Sequence, residues 1–147
     1  MADDAKSVVE NIHTAWKSRD LDRVLNLLAD DMVFALHIPR EVLPIGGETK
    51  GKTAVTAALR GLLDTYDFVT YDPGPLSVDG GKVSGEVKFQ YREKATGEAI
   101  TNQLRQLWLV DAGKAQRLDE WHDLAAVTSF LDRVSLRLAS KASGGSA

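Results

Sequence analysis

The sequence has 147 residues, of which 44% are hydrophobic and 27% charged, and its formal net charge is −3. These values predict one globular domain with a single hydrophobic core. An acidic chain without clustered Lys and Arg does not suit a nucleic-acid backbone, and the absence of cysteine excludes disulfides and thiol catalysis. No apolar run approaches the ~20 residues that span a bilayer, so neither nucleic acid nor membrane is an expected partner. The acidic start lacks the features of a signal peptide, which predicts a cytoplasmic location.

The first part of the chain carries two helical patterns. Apolar residues repeat at helical spacing over residues 8–19 and again over residues 21–28. Asp20, between them, is a favoured residue for capping the second helix. Asp30 and Asp31 are expected to end that helix.

A strand is predicted over residues 32–38, followed by a loop over residues 39–51 and a third helical pattern over residues 55–66. The segment 46–53 (GGETKGKT) matches the pattern of a phosphate-binding loop. Such a loop needs a buried parallel strand before it, and Pro44 stands where that strand would be. The sequence therefore favours a plain loop that enters a helix, with nucleotide binding as a remote alternative.

From Asp67 onward, four consecutive strand-like runs are joined by short turns that contain glycine. Turns of this length connect antiparallel neighbours. The clearest run alternates apolar residues from Val83 to Tyr91 with polar ones, which predicts one buried face. Gly85, inside this run, indicates a bend or a bulge.

The chain closes with a helical pattern over residues 127–138 and a segment over residues 140–147 that is rich in Ser, Gly and Ala. The latter composition predicts a disordered tail. Helices followed by consecutive hairpins predict an α+β fold, in which helices pack on one face of a mostly antiparallel sheet.

Three segments of the sequence resemble the nuclear transport factor two-like superfamily, in particular its SnoaL-like polyketide-cyclase branch. They are residues 15–22 (AWKSRDLD), residues 36–39 (LHIP) with 50–55 (KGKTAV), and residues 117–123 (RLDEWHD). The resemblance covers most of the chain.

The resemblance implies a single domain over residues 1–139, a cone-shaped α+β barrel whose curved sheet wraps around the N-terminal helices and encloses an apolar pocket. It also implies a homodimer formed through the outer face of the sheet. Members of the superfamily include isomerases, epoxide hydrolases, dehydratases, cyclases and proteins without catalysis, so the fold does not fix the function.

In SnoaL-like cyclases the Asp at the end of the last strand is the general acid and base, and Asp123 matches it. Desolvation would raise the pKa of such a carboxyl group and suit it to proton transfer. Asp123 also precedes the closing helix, where an Asp is a favoured cap, and a capping hydrogen bond would lower its pKa instead. Both interpretations stay open at this point. Trp121, two residues earlier, is expected on the same side of the strand as Asp123.

The three histidines give further candidates. His37, near the end of the first strand, is a candidate second proton carrier, although a histidine satisfied at the strand edge is the more common case. His122 is expected to face away from Asp123, and His13 is expected at the surface. Their scattered positions match no metal motif, and we expect neither a metal nor a cofactor.

Aromatic and amide side chains complete the candidate pocket. Gln106 and Trp108 share one face of the fourth strand-like run, so that Gln106 would be a polar group in an apolar lining. The remaining candidates lie on buried faces of predicted elements, and they are Trp16, Tyr66 and Phe89.

The sequence thus predicts a pocket for a small hydrophobic molecule, with Asp123 and His37 as catalytic candidates. The expected chemistry is proton transfer on a carbonyl or ring compound, as in an isomerase, cyclase or hydratase that uses no cofactor. The alternative is a binding or dimerisation module of the same fold without catalysis.

Overall fold

Helices at the start, the middle and the end of the chain alternate with two groups of strands in a computed structural model that describes residues 2–145. Within that range the helices are α1 (Ala2–Lys17), α2 (Leu21–Asn26), α3 (Lys52–Thr65) and α4 (Leu124–Gly145). The strands are β1 (Leu28–Leu36), β2 (Gly47–Lys50), β3 (Tyr66–Pro73), β4 (Ser77–Asp79), β5 (Lys82–Glu93), β6 (Ala99–Asp111) and β7 (Lys114–Trp121).

All seven of these strands form one curved, unclosed sheet in the order β2-β1-β7-β6-β5-β3, with β4 beside β5. Its pairs are antiparallel except for β1 and β7, which run parallel, with Phe34 opposite Leu118. The sheet is therefore mixed. The α+β prediction is confirmed, with helices on the inner face and α4 at the end of the chain.

The core lies between the inner face of the sheet and the apolar stripe of α1. Val9, Ile12 and Ala15 of that stripe are at most 4% exposed. Val83 and Val87 of β5 are fully buried opposite them. The apolar stripe of the helix and the buried face of the strand therefore pack against each other in one hydrophobic layer.

The first strand begins earlier than predicted. β1 starts at Leu28, so that Asp30 and Asp31 belong to the strand rather than to a helix end. The pairing of β1 with β7 shifts register between Leu28 and Val33. This irregular stretch keeps both aspartates exposed, which explains why a polar pair is tolerated there.

The segment that resembles a phosphate-binding loop is partly a strand. Residues 47–50 form β2, which pairs antiparallel with β1, and Gly51 precedes α3. Because the first half of the segment is a hairpin strand rather than a loop after a buried parallel strand, its backbone is not a phosphate cradle. The nucleotide-binding alternative is therefore wrong.

Gly85 lies in a regular ladder and not in a bulge, because its pairing with Gln106 continues without a register shift along β5. A Cβ at this position would lie 2.9 Å from Leu76 Cδ2 and 3.1 Å from the Pro75 carbonyl oxygen. The glycine thus allows the segment before β4 to cross close to β5.

The last helix is longer than the sequence predicted, since α4 continues as helix to Gly145 through most of the expected tail. Two ion pairs hold it to the turn before β6, from Arg133 and Arg137 to Glu98. Ser146 and Ala147, also assigned to the tail, lie outside the described residues. No helix within residues 2–145 combines the length and apolar composition that a bilayer crossing requires.

Candidate functional site

A cavity of about 140 Å³ lies between the inner face of the sheet and helices α1, α3 and α4. A cavity of roughly 150 Å³ is known to hold a benzene molecule, so this one has room for a single ring. Most lining side chains are apolar or aromatic. The aromatic residues that face it from α1 and the sheet are Trp16, Phe34, Tyr66, Tyr71, Phe89, Tyr91 and Trp108.

A chain of hydrogen bonds crosses the lining and is centred on Gln106, which is 4% exposed. Trp108 Nε1 lies 3.1 Å from Gln106 Oε1, and an indole nitrogen is only a donor, so this contact fixes the orientation of the amide. His13 Nε2 is 2.7 Å from the same oxygen and must therefore carry a hydrogen. The Gln106 amide nitrogen then donates to Glu120 Oε2 over 2.7 Å.

Glu120 and His122 are two residues apart, and both face the cavity. Glu120 lies on β7, and His122 lies directly after its end. Glu120 Oε1 lies 3.5 Å from His122 Nε2, and the two side chains are 14% and 12% exposed. The other ring nitrogen, His122 Nδ1, is buried and has no hydrogen-bond partner among the described residues. The site therefore holds a carboxylate oxygen and an imidazole that the protein itself does not saturate.

Burial controls the ionisation of the surrounding groups. Desolvation lowers the pKa of His13, although its hydrogen bond to Gln106 and the charge of Glu120 act in the opposite direction. Desolvation raises the pKa of Tyr71 and of Tyr91. At neutral pH the histidine is thus neutral and both phenols keep their protons.

Five of the sequence-predicted residues face this cavity, namely Trp16, Tyr66, Phe89, Gln106 and Trp108. Trp16 Nε1 donates to the Tyr91 hydroxyl over 3.1 Å, which joins α1 to β5. Gln106 is the polar group that the strand pattern placed in an apolar lining. A role of these residues in binding a ligand stays a prediction.

Asp123 lies outside the cavity lining. The strand β7 ends at Trp121, and the exposed Asp123 side chain accepts a hydrogen bond of 3.3 Å from the Ala126 backbone N–H in the first turn of α4. The capping interpretation therefore describes its geometry, and the expectation of a carboxylate that points into the pocket is corrected.

Trp121 and His37 lie together on the outer face of the sheet and not in the cavity. Their rings stack with centroids 4.6 Å apart, and the Arg105 guanidinium lies 5.3 Å from the Trp121 ring. His37 Nε2 is 2.9 Å from Asp119 Oδ1. Because β7 alternates faces up to its end, Trp121 points away from the side that Glu120 occupies.

Sequence reasoning missed three residues of the site, His13, Glu120 and His122. His13 was expected at the surface but is 5% exposed, because it lies beside the buried stripe of α1. Counting the alternation from buried Leu118 instead of from Asp123 would have placed Glu120 and His122 inward. Among the described residues, no group of three or more His, Asp or Glu side chains is arranged to hold a metal ion.

Comparison with known families agrees with this architecture. The model of the SnoaL-like domain matches residues 9–118, and the chain therefore belongs to the SnoaL-like family. No curated protein matches the sequence.

Solved structures of similar fold have low sequence identity. A nuclear transport factor two-like protein of unknown function from Burkholderia pseudomallei is 20% identical, with a TM-score of 0.78 over 86% of this chain and 96% of that chain. An LEH-like epoxide hydrolase from M. tuberculosis is 18% identical, with a TM-score of 0.72 over 95% and 98%. A nuclear transport factor two-like protein from Burkholderia xenovorans is 18% identical, with a TM-score of 0.75 over 88% and 96%. At these identities the likeness shows the fold alone.

Proposed function

We propose that the chain binds a small hydrophobic carbonyl or ring compound in its cavity and transfers a proton on it. Glu120 is the proton carrier in this proposal, in place of Asp123. The observation that carries it is the Glu120 carboxylate in the cavity lining, held at one oxygen by Gln106 and adjacent to His122 at the other. A positioned carboxylate in an apolar site from which a bound ligand excludes water is a suitable general base.

In this proposal the two oxygens of Glu120 have different tasks. Oε2 accepts the amide hydrogen of Gln106, so Oε1 is the oxygen that exchanges a proton with a ligand. Glu120 Oε1 takes a proton from the carbon next to a carbonyl group, and the electron pair moves onto the carbonyl oxygen. Tyr91, which stays protonated, is a donor on the lining for that oxygen. Return of the proton to another carbon completes an isomerisation.

Exchange of carbon-bound hydrogen tests this function without knowledge of the natural substrate. One-ring ketones, including a β,γ-unsaturated one, are incubated with the protein in D₂O and followed by NMR. Wild type is expected to exchange the α-hydrogens and to move the double bond, whereas Glu120→Gln does neither. Asp123→Asn serves as a control and keeps the wild-type rate. Equal exchange by wild type and Glu120→Gln would remove Glu120 from the mechanism.

A binding module without catalysis is the second candidate. It is favoured by the hydrogen-bond chain from Trp108 to Glu120, which also satisfies buried polar groups as a purely structural network would. In that case the ketones bind in the cavity but neither wild type nor Glu120→Gln exchanges hydrogen. Ligand-induced shifts of cavity resonances, without turnover, distinguish this outcome.

We further propose that the chain forms a homodimer through the outer face of the sheet. This face presents half-buried Leu107, Leu109 and Trp121 beside exposed Arg105, a mixture typical of an interface. Sedimentation of wild type as a dimer and of Leu107→Glu as a monomer would support it.

The cytoplasmic location stays a prediction, which fractionation of cells expressing the chain would test.

A further inference from the structure

The charge of Glu120 has no fixed counter-charge within the cavity. Among the described residues that line it, none is Lys or Arg. Arg19, in the turn between α1 and α2, is engaged elsewhere, because its guanidinium donates to the backbone carbonyls of Leu63 and Tyr66 and lies over the Phe68 ring. Glu120 is thus left with the Gln106 amide and the neighbouring imidazole of His122.

Filling the cavity changes the energetics of this carboxylate. While water occupies the cavity, solvation stabilises the charge of Glu120. A ligand that expels this water removes that solvation, and burying a carboxylate without a partner is costly. A neutral ligand leaves this cost in place and an anion adds repulsion, whereas a cation restores the lost interaction.

The rest of the lining suits an organic cation as well. Aromatic side chains surround the space near the carboxylate, including Tyr71, Tyr91 and Trp108. Aromatic rings attract a cation electrostatically and also bury its apolar substituents. The volume of about 140 Å³ limits the ligand to roughly one ring.

We propose that this cavity also binds a small organic cation, in place of the carbonyl compound of the proposed function: a one-ring or similarly compact amine whose charged nitrogen binds Glu120 Oε1 and whose apolar part packs against the aromatic lining. The proposal rests on the cavity assigned under the proposed function, but not on proton transfer. The proposal specifies that this ligand is positively charged, and the fold alone does not determine the sign of the charge.

Three compounds that share one ring and differ in charge test the proposal. Binding of cyclohexylammonium, cyclohexanol and cyclohexanecarboxylate is measured by calorimetry at a pH of about 8, above the ordinary pKa of histidine and below that of an alkylamine. Wild type is expected to bind the ammonium at least about tenfold more tightly than the alcohol, and not to bind the carboxylate. Glu120→Gln is expected to lose this preference.

Two further variants make the measurement specific. Glu120→Asp retains the charge and is expected to retain the preference for the ammonium. Glu86→Gln makes the same chemical change at an exposed residue of β5 outside the cavity lining, and is expected to bind all three compounds as wild type does.

Each remaining outcome contradicts the proposal. If cyclohexanol binds as tightly as the ammonium or more tightly, the ligand is neutral, and the proposed function stands without this inference. If Glu120→Gln keeps the full preference, the carboxylate does not recognise the cation. If none of the three compounds binds at concentrations up to about 10 mM, the cavity is not a site for one-ring ligands, and the proposed function fails with the inference.

Discussion

The two faces of β7 use acidic residues in opposite ways. On the outer face, Asp119 receives hydrogen bonds from Arg117 at 2.9 and 3.1 Å and lies 2.9 Å from His37. The Arg117 hydrogen bonds are the main reason that the pKa of Asp119 is lowered. On the inner face, Glu120 has a neutral amide as its hydrogen-bond donor. Two neighbouring residues of the strand thus carry one carboxylate that is paired with an arginine and one that is paired with a neutral amide.

This contrast separates the structural acids from the acid of the proposed function better than sequence position does. Asp123, at the end of the same segment, caps α4 and belongs with the structural group. Burial alone would not distinguish the acids of β7 either, because the side chains of Asp119 and Glu120 are 13% and 14% exposed. The identity of the partner, an arginine or an amide, makes the distinction.

The largest expected effect follows from removing the amide that connects the inner face. Gln106→Leu leaves the His13 N–H and the Trp108 N–H without their acceptor and Glu120 Oε2 without its donor, and we expect it to lower the free energy of unfolding by about 3 kcal/mol. Urea denaturation measures this. On the outer face of the same strand, Gln103→Leu changes an exposed residue and is expected to stay within about 0.5 kcal/mol of wild type. Equal effects of the two substitutions would contradict the contrast between the faces.

Asp123→Ala is expected to have an intermediate effect. Loss of the cap should lower the free energy of unfolding by about 1 kcal/mol, because the N–H of Ala126 loses its side-chain acceptor. Binding of one-ring compounds to the cavity should not change. Asp123→Asn, which keeps a capping oxygen, should recover most of the stability. Loss of ligand binding with unchanged stability would return Asp123 to the site.

The pH dependence of stability tests the buried histidine, with a smaller expected effect. Burial lowers the pKa of His13 in the folded chain, so the unfolded chain takes up the proton first as the pH falls. The stability that the neutral, buried His13 contributes is fully present above the ordinary histidine pKa of about 6.5. It is lost as the pH falls from there toward the lowered pKa of His13 in the folded chain. Wild type should therefore lose more stability between a pH of about 7.5 and 5.5 than His13→Gln does. Identical losses would show that His13 is not buried in neutral form.

The smallest effect is expected for Arg117→Ala on the outer face. Hydrogen bonds from Arg117 lower the pKa of both Asp119 and Glu48. The stability that these ion pairs give the folded chain is therefore present above the ordinary carboxyl pKa of about 4, and it is lost as the pH falls through the lowered pKa values. The melting temperature should fall slightly at neutral pH and approach that of wild type in strong acid. Added salt should shrink the difference, because these ion pairs are partly exposed. A difference that grows in acid would contradict this.

Most of the fold could be predicted because its signals are local. The α1 stripe, the alternation in β5 and the glycine turns each depend on residues close in sequence, and all three are found as predicted. β2 could not be predicted in the same way, because a run of four residues, Gly47–Lys50, has no period of its own and is a strand only through its pairing with β1.

The site was harder to predict because it depends on which face of each strand a side chain occupies. The sequence placed Gln106 and Trp108 inward, since buried Leu104 and Val110 on β6 share their face. Asp123 lies beyond the end of β7, so taking it as the inward-facing reference placed Trp121 inward, although Trp121 lies on the outer face and Glu120 and His122 line the cavity. His13 was missed because its partner, Gln106, is 93 residues away in sequence.

The parallel pairing of β1 with β7 has a consequence for how the molecule assembles. As the chain emerges during synthesis, Val33–Leu36 is available long before Arg117–Glu120, its neighbour in the finished sheet. Until then β1 has only β2 beside it, and its second edge is an open template for pairing with other chains. Since β7 also carries Glu120, a nascent chain completes the sheet and gains the proposed proton carrier in the same late event. Fragments that stop before β7 should therefore lack the proposed proton carrier and be prone to aggregate.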